Sequence, residues 1–179
     1  MSLQLATLLP GILLILLGVP LLLNQSAFVA TLKRLPRSMT ATYVFFTAGA
    51  AWFLYNVWHL SPADFGDYRK ILFVAFAAIA VLSFKCVPDF LAVRGLCILM
   101  LVGAAPLLGA AYMEHEHPQR LFMVSAVFLG IAVAIWLGAQ PWRLRDFFSW
   151  LFLRPARTRA LGGLLAGYGL VLAVVAFTY

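Results

Sequence analysis

The stretch LFMVSAVFLGIAVAIWLGA, Leu121–Ala139, decides the fold. It contains no charged residue and matches the roughly 20 residues that a helix needs to cross a hydrocarbon core. Inside lipid no water can satisfy backbone N–H and C=O groups, so only helices and closed barrels span. A barrel strand would alternate lipid-facing and polar lumen residues over about ten positions. Here Leu, Phe, Val, Ala and Ile follow one another with no such alternation, and the stretch reads as a membrane helix. The rest of the chain has the same character: 64% of its 179 residues are hydrophobic and 11% charged, with a mean hydropathy of +0.98. A soluble domain carries roughly a quarter charged residues. This chain cannot cover itself with polar groups, so lipid must solvate much of it.

Working outward, comparable apolar stretches lie at about 5–24, 39–60, 69–87, 89–113 and 160–179. Together they predict an all-α polytopic membrane bundle of six transmembrane helices forming one integral membrane domain. The first stretch lacks a basic n-region and a small-residue cleavage site, so it reads as a retained helix. Ser38 is suited to cap the second helix, whose far end carries the belt residues Tyr55, Asn56, Trp58 and His59. The third is shortest. Its clean run, Ile71 to Phe84, spans only if Arg69, Lys70 and Lys85 snorkel outward at its ends, and Pro88 then breaks it. The fourth holds Arg94 one turn inside, and Pro106 between Gly103 and Gly109 predicts a bend or a break; Pro20 predicts a kink in the first.

Downstream of Ala139, Pro141 ends the helix and about 142–153 forms a separate element. Leu144, Phe147, Phe148 and Leu151 recur at helical spacing, with Arg143, Arg145, Asp146 and Ser149 between them. This pattern predicts an amphipathic helix lying flat in the cytoplasmic leaflet. Arg154 and Pro155 stop it, and the sixth membrane helix follows from Ala160. Of the 13 Lys and Arg residues, Lys33, Arg34, Arg37, Lys85, Arg94, Arg143, Arg145, Arg154, Arg157 and Arg159 fall after odd-numbered helices. Only Arg69, Lys70 and Arg120 fall on the opposite side. That asymmetry predicts both termini on the non-cytoplasmic side. The runs Asp89-Phe90-Leu91 with Arg94-Gly95-Leu96, and Asp146-Phe147-Phe148 with Arg159-Ala160-Leu161-Gly162, suggest a repeat of three helical hairpins.

The residues Pro141-Trp142-Arg143, Arg157, Leu161-Gly162 and Gly167 make the last hairpin resemble a small bacterial inner-membrane family of unknown function, in which two membrane helices are joined by a basic amphipathic linker. The resemblance covers about the last quarter of the chain. It implies a bacterial plasma-membrane location and brings no catalytic residues with it.

Few residues suggest chemistry. Glu114, His115, Glu116 and His117 offer two imidazoles and two carboxylates to a divalent metal, with His59, Asp64 and Asp67 on the same predicted side. A solvated loop covering helix ends explains the same run. His59 and His115 also have the side-chain type of axial haem ligands, yet a headgroup-level histidine in an aromatic belt is the simpler reading, and no cofactor is expected. Lys85, Asp89 and Arg94 form the only charge group near the apolar region, which marks either a solute path or a structural role in which Arg94 snorkels outward or pairs with Asp89. Gly163 and Gly167 make a GxxxG row that allows close approach of a second helix, in a partner or in this chain. Lys33, Arg34, Arg37, Arg143, Arg145, Arg154, Arg157 and Arg159 are expected to meet lipid headgroups. A net charge of +7 placed at helix ends fits anionic lipid, with no nucleic acid as partner. Cys86 and Cys97 form no CxxC or CxxCH motif.

The chain thus reads as a non-catalytic multi-pass protein, an accessory or scaffold subunit that packs on other membrane subunits or on a second copy. A small-solute transporter or channel is the alternative.

Overall fold

The structure, a computed structural model, describes residues 1–179 and is all helical. Nine α-helices follow in order: α1 (Leu3–Leu22), α2 (Ser26–Arg34), α3 (Met39–Ala41), α4 (Thr47–Trp58), α5 (Arg69–Cys86), α6 (Leu91–Ala111), α7 (Arg120–Ala139), α8 (Trp142–Leu151) and α9 (Pro155–Ala176). A π-helical segment, Thr42–Phe46, joins α3 to α4, so helical backbone runs from 39 to 58 with one widened turn. The helices α1, α6, α7 and α9 are each long and apolar enough to cross a membrane. Ser38 caps α3 as expected, its Oγ accepting from Ala41 N at 3.2 Å. The helix α6 continues through Pro106, and α1 through Pro10 and Pro20, so none of these prolines breaks its helix.

Two boundaries move for local reasons. The residues Arg154 and Pro155 do not separate the sixth membrane helix from a link; Pro155 begins α9. Proline at the first helical position costs no hydrogen bond, because that N–H has no intrahelical partner in any case. This places Arg157 and Arg159 inside α9. The second change is α2, a nine-residue helix between the stretches predicted at 5–24 and 39–60. Asn24, held at φ 50°, ends α1 and turns the chain into it, a backbone state that asparagine tolerates better than most residues.

The chain forms two compact units. The first comprises Met1–Lys33, Gly103–Val133 and Arg145–Tyr179. Its main seam joins α1 to α9, a pair that no hairpin of sequence neighbours contains. Gly11 and Gly18 of α1 face Gly162, Ala166 and Gly169 of α9. A Cβ on Gly162 would lie 2.3 Å from Leu22 N, and one on Gly18 would lie 2.4 Å from Ala166 N. Where lipid removes the hydrophobic drive, such backbone contact supplies the dispersion energy of association. Leu3, Ala6, Ala104, Ala111, Met123, Val127 and Leu172 make this unit's apolar core. Buried Thr7 donates to Leu3 O at 3.0 Å, and Tyr168 Oη donates to Phe122 O at 2.9 Å.

The second unit comprises Arg34–Val102 and Ala134–Leu144. Here the run 39–58 pairs with α5 through aromatic rings. Tyr43 and Phe46 both meet Phe84, at 5.5 and 5.2 Å; Phe53 meets Phe76 at 5.1 Å and Trp58 meets Phe73 at 5.3 Å. On another face of the same run, Gly95 of α6 lies against the π-helical turn: its missing Cβ would sit 2.4 Å from Phe46 N. Val93, Cys97, Ala134 and Leu137 pack as a second core.

Candidate functional site

Two rows of small residues run along α9, offset by one position. The row Gly162, Ala166, Gly169 is filled by α1. The row singled out by its GxxxG spacing is different. A Cβ on Gly163 would meet only Leu22 Cδ1, at 3.7 Å, and one on Gly167 would meet nothing within 4 Å. Leu164, Leu170, Val171 and Val174 are exposed on the same helix. Gly167 therefore lies outside the α1–α9 seam on an open surface, and Gly163 lies at the seam's edge, half-buried beside Leu22. The seam itself escaped notice in the sequence, although Gly11 and Gly18, two helical turns apart, were its visible sign.

The basic residues occupy helix ends and short turns. Lys33 and Arg34 close α2, and Arg37 lies 5.5 Å from the Phe90 ring. Arg143 donates from Nε to Gln140 Oε1 at 2.9 Å and sits 5.9 Å from the Trp136 ring. Arg145 pairs with its neighbour Asp146 at 2.7 Å. Arg157 lies 4.4 Å over Trp150 and donates to Trp150 O at 3.1 Å, which ties the end of α8 to the start of α9. Buried Thr158 adds a bond from its hydroxyl to Leu151 O at 3.3 Å. Along α8, Leu151 is buried and Leu144 and Phe148 half-buried, while Phe147 and Trp150 are exposed. Its apolar residues thus divide between the protein and the surroundings.

The expected Arg94–Asp89 pair does not form. The Nε of Arg94 is buried and has no hydrogen-bond partner. Lys85 lies in the last turn of α5 and Asp89 in the turn before α6, and neither closes an ion pair with the guanidinium. Arg94 is in the first turns of α6, directly before Gly95.

The acidic–histidine loop does not assemble as a metal site. His115 Nδ1 lies 3.1 Å from Arg120 Nη2, so its lone pair faces a cation, the opposite of what a metal ligand needs. His117 lies edge-on to Tyr179, centroids 5.3 Å apart. No three His, Cys, Asp or Glu side chains come together at ligating distances. Glu114, His115, Glu116 and His117 lie in the turn between α6 and α7. His59, the other histidine, bonds through Nδ1 to Tyr55 O at 2.8 Å and lies tilted against the Tyr55 ring, centroids 4.2 Å apart.

These features define a helical membrane protein whose charged side chains lie in turns, in the short helices and near the ends of the long ones. The chain matches no protein-family profile, no curated protein and no solved structure. The resemblance of its last hairpin rests on the residues quoted above alone.

Proposed function

We propose that this is a non-catalytic, multi-pass membrane protein acting by contact, an accessory or scaffold subunit of a larger membrane assembly. Its docking face is the outer row of α9. The observation that carries this reading is the open space at Gly167, with room for a methyl at Gly163, beside a neighbouring row already consumed by α1. Small residues facing outward let a second helix approach closely. In this reading six helices span: α1, the run 39–58, α5, α6, α7 and α9. The 18 residues of α5 reach about 27 Å, close to a hydrocarbon core with Arg69, Lys70 and Lys85 at the margins. Both termini face away from the cytoplasm of a bacterium, and α8 lies in the opposite, basic interface.

The test is gentle purification of the full chain, with Gly167→Leu as comparison. We expect a second membrane polypeptide, or a second copy, with the native chain and its loss with Gly167→Leu, while helicity is unchanged. Recovery of the same partner with both chains would defeat the reading.

One observation favours a second reading, a small-solute transporter or channel. The buried Nε of Arg94 has no hydrogen-bond partner, and the next residue, Gly95, packs on a π-helical turn; π turns recur at functional sites. Solute flux in reconstituted vesicles that disappears with Arg94→Ala would replace the first reading with this one.

A further inference from the structure

The helix α2, invisible as a helix in the sequence, builds one wall of a cleft. The opposite wall is the junction between α8 and α9. The cleft measures about 320 Å³ and is lined by Asn24, Ser26, Lys33, Phe152, Pro155 and Thr158, among others. It lies wholly within the first unit. Its lining includes one cation and no acid. Lys33 holds its Nζ 5.6 Å from the centre of the Phe152 ring. The amide of Asn24 and the hydroxyl of Ser26 supply further donors, whereas the Thr158 hydroxyl is already committed to Leu151 O. Beside the cleft, α9 begins with no acidic residue in its first turn and no side-chain cap. Its positive end therefore faces no carboxylate of its own. Leu23 and Leu153, each next in sequence to a lining residue, are 63% and 74% exposed.

We infer that this cleft binds the phosphate of an anionic phospholipid, with Lys33 as the charged contact and Asn24 and Ser26 as neutral donors. Three properties select that ligand. The charge balance calls for an anion. The volume lies at the lower end of small-ligand pockets, about 300 Å³, enough for a headgroup and too small for a whole lipid. The flanking Leu23 and Leu153 provide apolar surface for the acyl chains outside it. The lipid would bridge α2 to the α8–α9 junction. A phosphate ester free in solution shares the headgroup chemistry but has no use for the leucines. This inference rests on the basic side of the protein meeting headgroups, and is independent of what docks on α9.

Native mass spectrometry of the full chain in detergent, titrated with phosphatidylglycerol or phosphatidylcholine, tests it. We expect one phosphatidylglycerol retained in preference to phosphatidylcholine. Lys33→Gln should weaken that preference about fivefold, the order of one basic residue's attraction to an anionic surface. Lys70→Gln, which alters an exposed basic residue outside both the cleft lining and the predicted headgroup set, should leave it unchanged. Equal losses in the two variants would show diffuse charge and overturn the site, as would retention of the preference in Lys33→Gln. Millimolar inorganic phosphate should not displace the lipid; displacement would overturn the lipid as ligand. Ser26→Asp, which places a carboxylate at an exposed lining position, gives an independent arm: it too must abolish the preference, even if Lys33→Gln fails to fold.

Discussion

Two helix pairs in this protein are held by opposite means. The helices α1 and α9 touch through positions without side chains, where Gly18, Gly162 and Gly169 would each place a Cβ within 3 Å of the other backbone. The run 39–58 and α5 touch through a ladder of rings, stacked at Tyr43 and Phe84 and edge-to-face from there to Trp58 and Phe73. Both solve the same problem, because lipid competes equally well for an exposed Leu or Val. They differ in tolerance. A ring contact can lose one member and repack. A backbone contact has nowhere to put an added atom.

The largest effect should therefore come from filling the glycine seam. Gly162→Leu would drive a side chain into the backbone at Leu21 and Leu22, forcing α1 and α9 apart at a cost of about 3 kcal/mol. Detergent unfolding curves of the purified chain measure this. An unchanged midpoint would mean that the seam is not what holds the first unit together. Next comes Gly95→Ala. Its Cβ would lie 2.4 Å from Phe46 N, at the π-helical turn. A loss of about 2 kcal/mol is expected if that turn is fixed by packing. A loss below about 0.5 kcal/mol would show that the widened turn relaxes to accept the methyl. The ring ladder should be softer. Phe84 touches both Tyr43 and Phe46, so Phe84→Leu removes two ring contacts and keeps most of the apolar volume. The expected loss is about 1 kcal/mol, and a larger value than for Gly162→Leu would reverse the comparison.

The same contrast explains what could be read from the sequence. Lengths of apolar runs located the long helices to within a few residues, because hydrocarbon thickness constrains them directly. Ser38 announced its cap through its side-chain chemistry. Contacts between helices were much less legible. GxxxG spacing marked Gly163 and Gly167, but an offset of one residue separates that row from Gly162, Ala166 and Gly169, and spacing along one helix carries no information about which row meets α1. The aromatic ladder was hidden because Phe and Tyr facing lipid look the same as Phe and Tyr facing α5. The helix α2 has only Phe28, Val29 and Leu32 as an apolar face, too few to stand out beside the basic Lys33 and Arg34. Glu114 to His117 misled for a related reason: ligand-type residues in a row do not converge unless the backbone turns them inward, and Arg120 and Tyr179 occupy the two histidines instead.

The smallest expected effect is the sharpest test of this comparison. Gly167→Ala adds a methyl where the structure has nothing within 4 Å. Alanine is also the better helix former by about 1 kcal/mol in water, a preference that packing and lipid reduce. Stability should therefore stay the same or rise slightly, within about 0.5 kcal/mol. Gly163→Ala should behave alike, its methyl reaching ordinary contact with Leu22 Cδ1 at 3.7 Å. Measured beside Gly162→Ala, in the same detergent, these substitutions place an identical methyl on two adjacent rows of one helix. If the loss appears at 162 and not at 163 or 167, α9 has one face committed to its own chain and one face free for another. If all three destabilise alike, the outer row is packed within the monomer, and Gly163 and Gly167 are no longer available as a docking face.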